Sequence, residues 1–402
     1  MKKNLNILIL IIALLIALST FSGIYRIPSF YYPFIALFFF VYSMLSDFRR
    51  MSFGSSGLTI FIVVCGLSIL INQPPSYFRS WERYALFLNI VIAFSPLIVC
   101  RGLNKNRVLL FDTLVAVMVI FSVASFIGYF FGINFFVRNN ELLAFNEAGH
   151  FSGFTNHSMT LAPVSALSGI YCMSKALSQD NKKHRALLWA TTFICFGAVL
   201  LSASRGALGG VVLAISAMIY RYSLGKIGRF FRYVLFGVAI LALAFPLWGG
   251  LTQYVVSKNE YNVSQGGIAY SRETKMAARL YEIQNNFLTG VGFCVVDETV
   301  DSVDKSTGTI EPNSSWLGVF SMTGVVGFLV FLFIFIRAFF TAFRKIPDKQ
   351  KAVELCGILA FFFVHMMIEG YVLAGNNYLC GMYWLTLGVI YSCANMSISV
   401  NE

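Results

Sequence analysis

Charge is scarce in this sequence. Only 12% of its 402 residues are Asp, Glu, Lys or Arg, against about 25% in an ordinary soluble domain. That scarcity excludes a disordered chain, a soluble enzyme and a nucleic-acid-binding domain, although the net charge is +12. Cysteine patterning is missing too. Seven of the eight cysteines lie in or at the ends of apolar runs, Cys294 alone lies in a long polar loop, and no disulfide framework or CxxC metal site can be drawn. The acidic run Asp297, Glu298, Asp301 and Asp304 lacks the glycine and the spacing of an EF-hand loop, so no metal is expected. The short loops between apolar runs carry no Walker or other nucleotide-binding pattern. No cofactor is expected, and a substrate of this chain must arrive already activated.

Apolar residues are abundant. The hydrophobic set makes up 57% of the chain, and phenylalanine alone contributes 41 residues. Taking roughly 17–25 mostly apolar residues as a membrane span, the sequence predicts an all-α polytopic membrane protein with about twelve spans. They lie near 5–22, 29–46, 57–71, 84–100, 108–131, 158–177, 186–203, 207–221, 233–249, 314–337, 352–373 and 377–394. Lys2 and Lys3 ahead of the first run resemble a secretory leader, but eleven further runs make an uncleaved first helix the simpler expectation. Three regions follow: 1–249 with spans 1–9, a loop region 250–313 with short helices, and 314–402 with spans 10–12 and the C-terminus.

Alternate loops differ in basic charge. Six of them, including both loops that hold Lys182 and Lys351, contain 20 of the 30 Lys and Arg residues. By the positive-inside rule these six and both termini are cytoplasmic, and the segments 132–157 and 250–313 lie on the outer face.

Four motifs fall on that outer face. Ser202-Ala203-Ser204-Arg205-Gly206 stands where span 7 gives way to span 8. An arginine at that depth is costly unless it is paired or faces a polar cavity. Gly206 and Gly210 alternatively read as a GxxxG helix-packing pair, with Arg205 snorkelling to the interface. The stretch 272–286 has no Pro or Gly and reads as a helix with Arg272, Lys275 and Arg279 on one face. Such a stripe suits a phosphate or pyrophosphate, or equally a solvated amphipathic helix at the membrane surface. Glu311-Pro312-Asn313-Ser314 leads into span 10 as a site element or as a helix N-cap. Gly149 to Ser158 holds His150 and His157, either of which is a candidate base or an interfacial polar group. Separately, His365 and Glu369 share a face of span 11 at i, i+4, a spacing that allows a buried pair facing the bundle interior, structural or functional.

Together these pieces resemble the O-antigen ligase and polymerase superfamily of bacterial inner membranes. Ser202 to Gly206 looks like its Ser-x-Ser-Arg-Gly signature. Ser271-Arg272 with Gly290-Val291-Gly292-Phe293 looks like its second arginine motif, and Gly153 to Ser158 is similar to its Gly-rich segment. The chain departs from the ligases in having Pro312-Asn313 where they usually carry His-Asn, and in having Phe287 near the place of a usual proline. Those departures fit the polymerases better. The resemblance implies an enzyme that joins oligosaccharide repeats carried on undecaprenyl pyrophosphate, with a polysaccharide chain-length regulator as an implied partner. Alternatives are the ligase that transfers finished polymer to lipid A-core, and a lipid-linked oligosaccharide flippase or secondary transporter. Arg205 and Arg272 are expected to hold the leaving pyrophosphate, with Ser204, Lys275, Arg279 and Asn313 in support. Glu311, expected to be partly buried at the mouth of the bundle, is the first candidate for the base, and His157 is the second.

Overall fold

The computed structural model describes every residue except 1, 46–50, 136, 139–140, 143–150, 225–227, 229–269, 302, 304, 307, 309, 312 and 397–402. Eleven of the twelve predicted apolar segments are helices: α1 (Lys2–Thr20), α2 (Tyr32–Leu45), α3 (Ser56–Asn72), α4 (Ser80–Phe94), α5 (Arg101–Phe130), α6 (Ser158–Ser178), α7 (Lys182–Leu201), α8 (Arg205–Tyr222), α10 (Ser315–Arg344), α11 (Lys349–Ile368) and α12 (Tyr378–Met396). Between α8 and α10 lies the amphipathic helix α9 (Tyr270–Asn285). The segment 233–249 lies outside the described residues. Among the described residues four helices, α5, α7, α10 and α11, are long and apolar enough to cross a membrane. Two short antiparallel pairs complete the inventory: β1 (Ser52–Phe53) with β2 (Ile98–Val99), and β3 (Val137–Arg138) with β4 (Glu141–Leu142).

The helices pack as a bundle whose centre is aromatic and aliphatic. Trp384, Phe61, Phe87, Phe362 and Tyr383 are fully buried and meet edge-on or tilted. The largest helix pairing is α8 on α11. There Gly206 lies against Ile368, and a Cβ at Gly210 would meet the Phe361 ring 2.7 Å away. The two glycines therefore do bring backbones together, as the GxxxG spacing predicts.

Contacts between loops sort by end. At one end, β1 pairs with β2, Asn106 donates to Ser43, Tyr222 donates to the Leu177 carbonyl and Lys351 reaches Asp112. At the other, Ser22 bridges Thr155, Arg83 donates to the Gly308 carbonyl and Asn313 donates to the Arg272 carbonyl. Each set matches one of the two loop classes separated by basic charge. We call the second the α9 end.

One predicted span is not a continuous helix. At about 1.5 Å per residue, the 30 residues of α10 would extend about 45 Å, well beyond the roughly 30 Å apolar core of a bilayer. The helix breaks at Gly324, with φ 68° and ψ −174°, a conformation open essentially only to glycine. Val325–Arg344, on the far side of the break, is long enough to span by itself. Breaking a helix strands backbone groups that cannot be left bare in an apolar setting. The segment after α9 takes them up: Val291 N donates to Ser321 O at 2.7 Å, Gly292 N to Met322 O at 3.2 Å, and Val325 N to Phe287 O at 2.9 Å. A Cβ at Gly290 would fall 2.5 Å from the Met322 carbonyl carbon. The Gly-Val-Gly-Phe motif is thus the seam between the loop region and the broken helix. Phe293 locks it by packing against Tyr84 and Phe87.

Candidate functional site

The connection from α7 to α8 is three residues, Ser202 to Ser204. Ala203 takes a left-handed conformation, φ 52°, to make so short a turn. Ser202 Oγ caps back onto the Val199 carbonyl at 2.6 Å, and Ser204 is the N-cap position of α8. Arg205 opens α8 and is exposed. Its neighbour Gly206 lies against Ile368, the last residue of α11.

That same helix end holds Arg272. Its Nη1 donates to the Ile368 carbonyl at 2.8 Å, and its Nη2 to Glu369 Oε1 at 2.5 Å. A C-terminal carbonyl is a natural acceptor for a guanidinium, because it lacks an intrahelical partner and carries the negative end of the helix dipole. Among the described residues these are two of the five donors a guanidinium presents, and the Arg272 side chain is 33% exposed. Asn313 Nδ2 donates to the Arg272 carbonyl at 3.1 Å, and Lys275 Nζ pairs with Glu311 at 3.0 Å. Ser315 fastens the next turn: its N–H and Oγ both donate to the Glu369 carbonyl, and its Oγ accepts from Tyr371 N. The structure therefore gathers Arg272, Lys275, Glu311 and Asn313 into one contact network, beside the turn that carries Ser204 and Arg205.

Three expectations need correcting. Glu311 is not partly buried: its carboxylate is 75% exposed and ion-paired to Lys275, because residue 311 precedes α10 instead of entering the bundle. His365 and Glu369 do not pair. Helix α11 ends at Ile368, and Glu369 is its extended C-cap, φ −127° and ψ 132°, so its carboxylate leaves the helix face and meets Arg272. His365 stays buried, stacked on Phe361 and 3.4 Å from the Tyr371 hydroxyl. Span 10, finally, is the broken helix described above.

Two other residues are engaged elsewhere. His157 is the N-cap of α6, and its Nδ1 accepts Met159 N–H at 3.0 Å. Arg279 lies on the expected face of α9 but is fully buried between Glu282 and Asp301, 2.9 Å from each. Burial lowers its pKa, against the pull of those carboxylates. Burial likewise pushes the Glu282 carboxyl up, to about 7. Residues 149 and 150 lie outside the described residues.

Sequence reasoning missed Glu369 as the partner of Arg272, and it missed a cavity. At the α9 end a space of about 340 Å³ opens between the start of α4, the N-terminal half of α10 and the 370–376 loop. Arg79, Glu82, Arg83, Tyr371 and Asn376 are among its walls. A signal was available. Only ten basic residues fall in the sparsely basic loop class, and Arg79 and Arg83 are two of them.

Among the described residues no cluster of His, Cys, Asp and Glu is arranged to hold a metal. No curated protein matches the chain. Residues 190–332 match the family model described as O-antigen ligase. That segment carries the α7–α8 turn, the Arg272 helix with its Gly-Val-Gly-Phe seam, and the Glu311–Ser314 entry to α10, so the similarity to the O-antigen ligase family covers the elements that build this site.

Proposed function

We propose that this protein is an O-antigen polymerase, a membrane glycosyltransferase that joins oligosaccharide repeats carried on undecaprenyl pyrophosphate. In this reading the twelve apolar segments are inner-membrane spans, both termini are cytoplasmic and the α9 end is periplasmic. The observation that carries it is the Arg272 side chain, one-third exposed and fixed by Glu369 and the Ile368 carbonyl beside the Ser-Ala-Ser-Arg-Gly turn.

The chemistry follows from that placement. An acceptor sugar hydroxyl forms a bond to C1 of the donor sugar, and the bond from C1 to the pyrophosphate oxygen breaks. The lipid pyrophosphate leaves with the electron pair and gains negative charge. Arg272 and Arg205, with Ser204 and Lys275 beside them, stabilise that charge where it develops. Because the arginine is already oriented by its carboxylate, little reorganisation accompanies the step. The acceptor's proton passes to Glu311 or to water at this open mouth. Pyrophosphate is a good leaving group, so a weakly basic carboxylate suffices.

A second reading, transfer of finished polymer to lipid A-core, is favoured by the description of the matching family. The lipopolysaccharide of a deletion strain separates the two. Core bearing one repeat supports polymerisation, bare core with accumulated lipid-linked polymer supports ligation, and bare core with repeats trapped in the cytoplasmic leaflet defeats both. Complementation with Arg272→Ala or Arg205→Ala at normal protein levels should leave the deletion phenotype. Lysine at either position should restore it in part, since it keeps the charge without the paired donors. A full ladder from Arg272→Ala would refute the assignment of the arginine.

A further inference from the structure

We propose that the cavity between α4 and the N-terminal half of α10 is the saccharide subsite of the acceptor, with Glu82 and Asn376 as its hydrogen-bonding residues. The inference rests on the glycosyltransferase reading above. It adds where the uncharged end of the acceptor sits and which residues select it.

The first argument is the set of polar groups. Glu82 stands between Arg79 and Arg83 at the start of α4, and Asn376 adds an amide from the 370–376 loop. A polyhydroxyl ligand uses carboxylate, guanidinium and amide alike, donating to the first, accepting from the second and doing both with the third. The second argument is wall chemistry. Leu86, Val319 and Met322 also line the space, so it combines an apolar surface with a few polar groups. Small-molecule sites are built this way, and it suits a sugar ring with an apolar face and a hydroxyl rim. At about 340 Å³ the cavity is at the small end of ligand pockets, which run from about 300 to 1,000 Å³. It fits a terminal sugar and not a lipid.

The third argument is position. Ser315 and Tyr371 both line the cavity. Ser315 also donates to the carbonyl of Glu369, whose carboxylate holds Arg272. One residue thus links the saccharide space to the pyrophosphate group, which is the arrangement needed to bring an acceptor hydroxyl to the donor's C1. The walls are also fixed before any ligand enters. A Cβ at Gly375 would meet Phe87 N at 2.7 Å, so the 370–376 loop is seated directly on α4. Pre-formed walls save the ordering cost of binding.

Glu82 and Asn376 are exposed, and substitutions at such positions ordinarily change stability little. The test uses the full chain in detergent and the delipidated repeat oligosaccharide, released by mild acid from the host's total lipid-linked oligosaccharides. Saturation-transfer NMR should detect it bound to the wild-type protein. Glu82→Gln with Asn376→Ala should weaken that binding about tenfold or more, as loss of a hydrogen bond to a charged group does. Arg272→Ala should bind the oligosaccharide as wild type does while failing to consume lipid-linked repeats. Equal binding by the double variant, no binding by the wild type, or loss of binding in Arg272→Ala would each overturn the assignment. Binding that follows the expected pattern in a wild-type protein that never lengthens lipid-linked repeats would sink the polymerase reading and leave the saccharide site standing.

Discussion

The two ends of the bundle use the same residue types for different ends. Away from α9, Arg107 is fully buried, and its guanidinium donates to the carbonyls of Ile92, Ala93 and Ile98 and to the Asn104 side chain. It satisfies the C-terminal carbonyls of α4 and cross-links them to β2. Lys351, nearby, lies 2.7 Å from both Asp112 and Glu354. At the α9 end Arg272 has one carboxylate and one carbonyl, and Lys275 has one exposed carboxylate. A cation saturated by buried partners is a structural part, because its donors are spent in the folded state. A cation fixed on one side and open on the other is prepared to meet an anion that is not yet there. Arg279 shows that the distinction follows local surroundings, not the end of the bundle: it belongs to the α9 end yet is fully buried like Arg107, with its Nη2 between two carboxylates.

The sharpest way to break this comparison is to remove one member from each class. Lys351→Met removes the ammonium 2.7 Å from the buried Glu354, and breaking a buried pair in this way costs about 3–5 kcal/mol. The expected outcome is loss of folded protein, read as a lower Tm in detergent and a faint band in membranes. Glu369→Gln at the other end removes only the charge that orients Arg272. It should leave abundance and Tm near wild type and slow polymerisation by about 10²-fold, comparable to losing an oriented transition-state donor. Normal abundance for Lys351→Met, or normal activity for Glu369→Gln, would erase the distinction.

A smaller effect tests the seam that mounts the site. Gly324→Ala places a Cβ 2.1 Å from the Leu288 carbonyl oxygen at a φ of 68°. Strain of that kind costs about 1–3 kcal/mol. It should be felt as detachment of the 287–293 segment, seen as faster amide exchange there, with the rest of the bundle unchanged. Gly327→Ala is the contrast. It lies on the continuous part of α10, beyond the break, where a Cβ would fall 2.0 Å from the Thr323 Oγ1, a clash with a side chain of the same helix and not with the 287–293 backbone. Its effect should stay local to the helix and spare the 287–293 segment.

Much of this architecture was legible in the sequence because membrane helices are long, local and apolar. Eleven predicted segments overlap helices, with ends that differ by up to seven residues: α5 begins at Arg101, where a polar first turn hid its start, α4 stops at Phe94 and α10 runs on to Arg344. The basic-residue bias sorted the loops as the contacts do. The stripe of α9 was legible too, since a period near 3.6 is a local property. What sequence did not reveal depended on distant partners. The break at Gly324 is stabilised by backbone from residues 287–292, about thirty positions upstream, and a lone glycine in an apolar run carries no sign of it. Glu369 stands four residues from His365, and only the end of α11 at Ile368 decides that it turns toward Arg272. The burial of Arg279 likewise depends on Asp301, across a loop that no periodicity describes.

The smallest expected effect concerns that buried cluster and has a defined sign. Arg279 faces two carboxylates, Glu282 and Asp301, with no water-exposed surface on Glu282. One negative charge is in surplus, and burial raises the Glu282 pKa to about 7, above the ordinary glutamate value of about 4.3. Between those two values the folded state binds more protons than the unfolded one. The stability contributed by this group is therefore fully present below the lower value and is lost as pH rises through the higher. Amide exchange in residues 278–301, corrected for intrinsic rate, should show stronger protection at pH 5.5 than at pH 8. Residues 92–98, held by Arg107 through carbonyls and not through a carboxylate, should not follow it. Glu282→Gln should flatten the difference, because an amide accepts from Asp297 N as the carboxylate does but does not titrate. Protection that instead strengthens with rising pH would mean that the ion pair with Arg279 outweighs burial, and the cluster would then be a conventional salt bridge held together by charge.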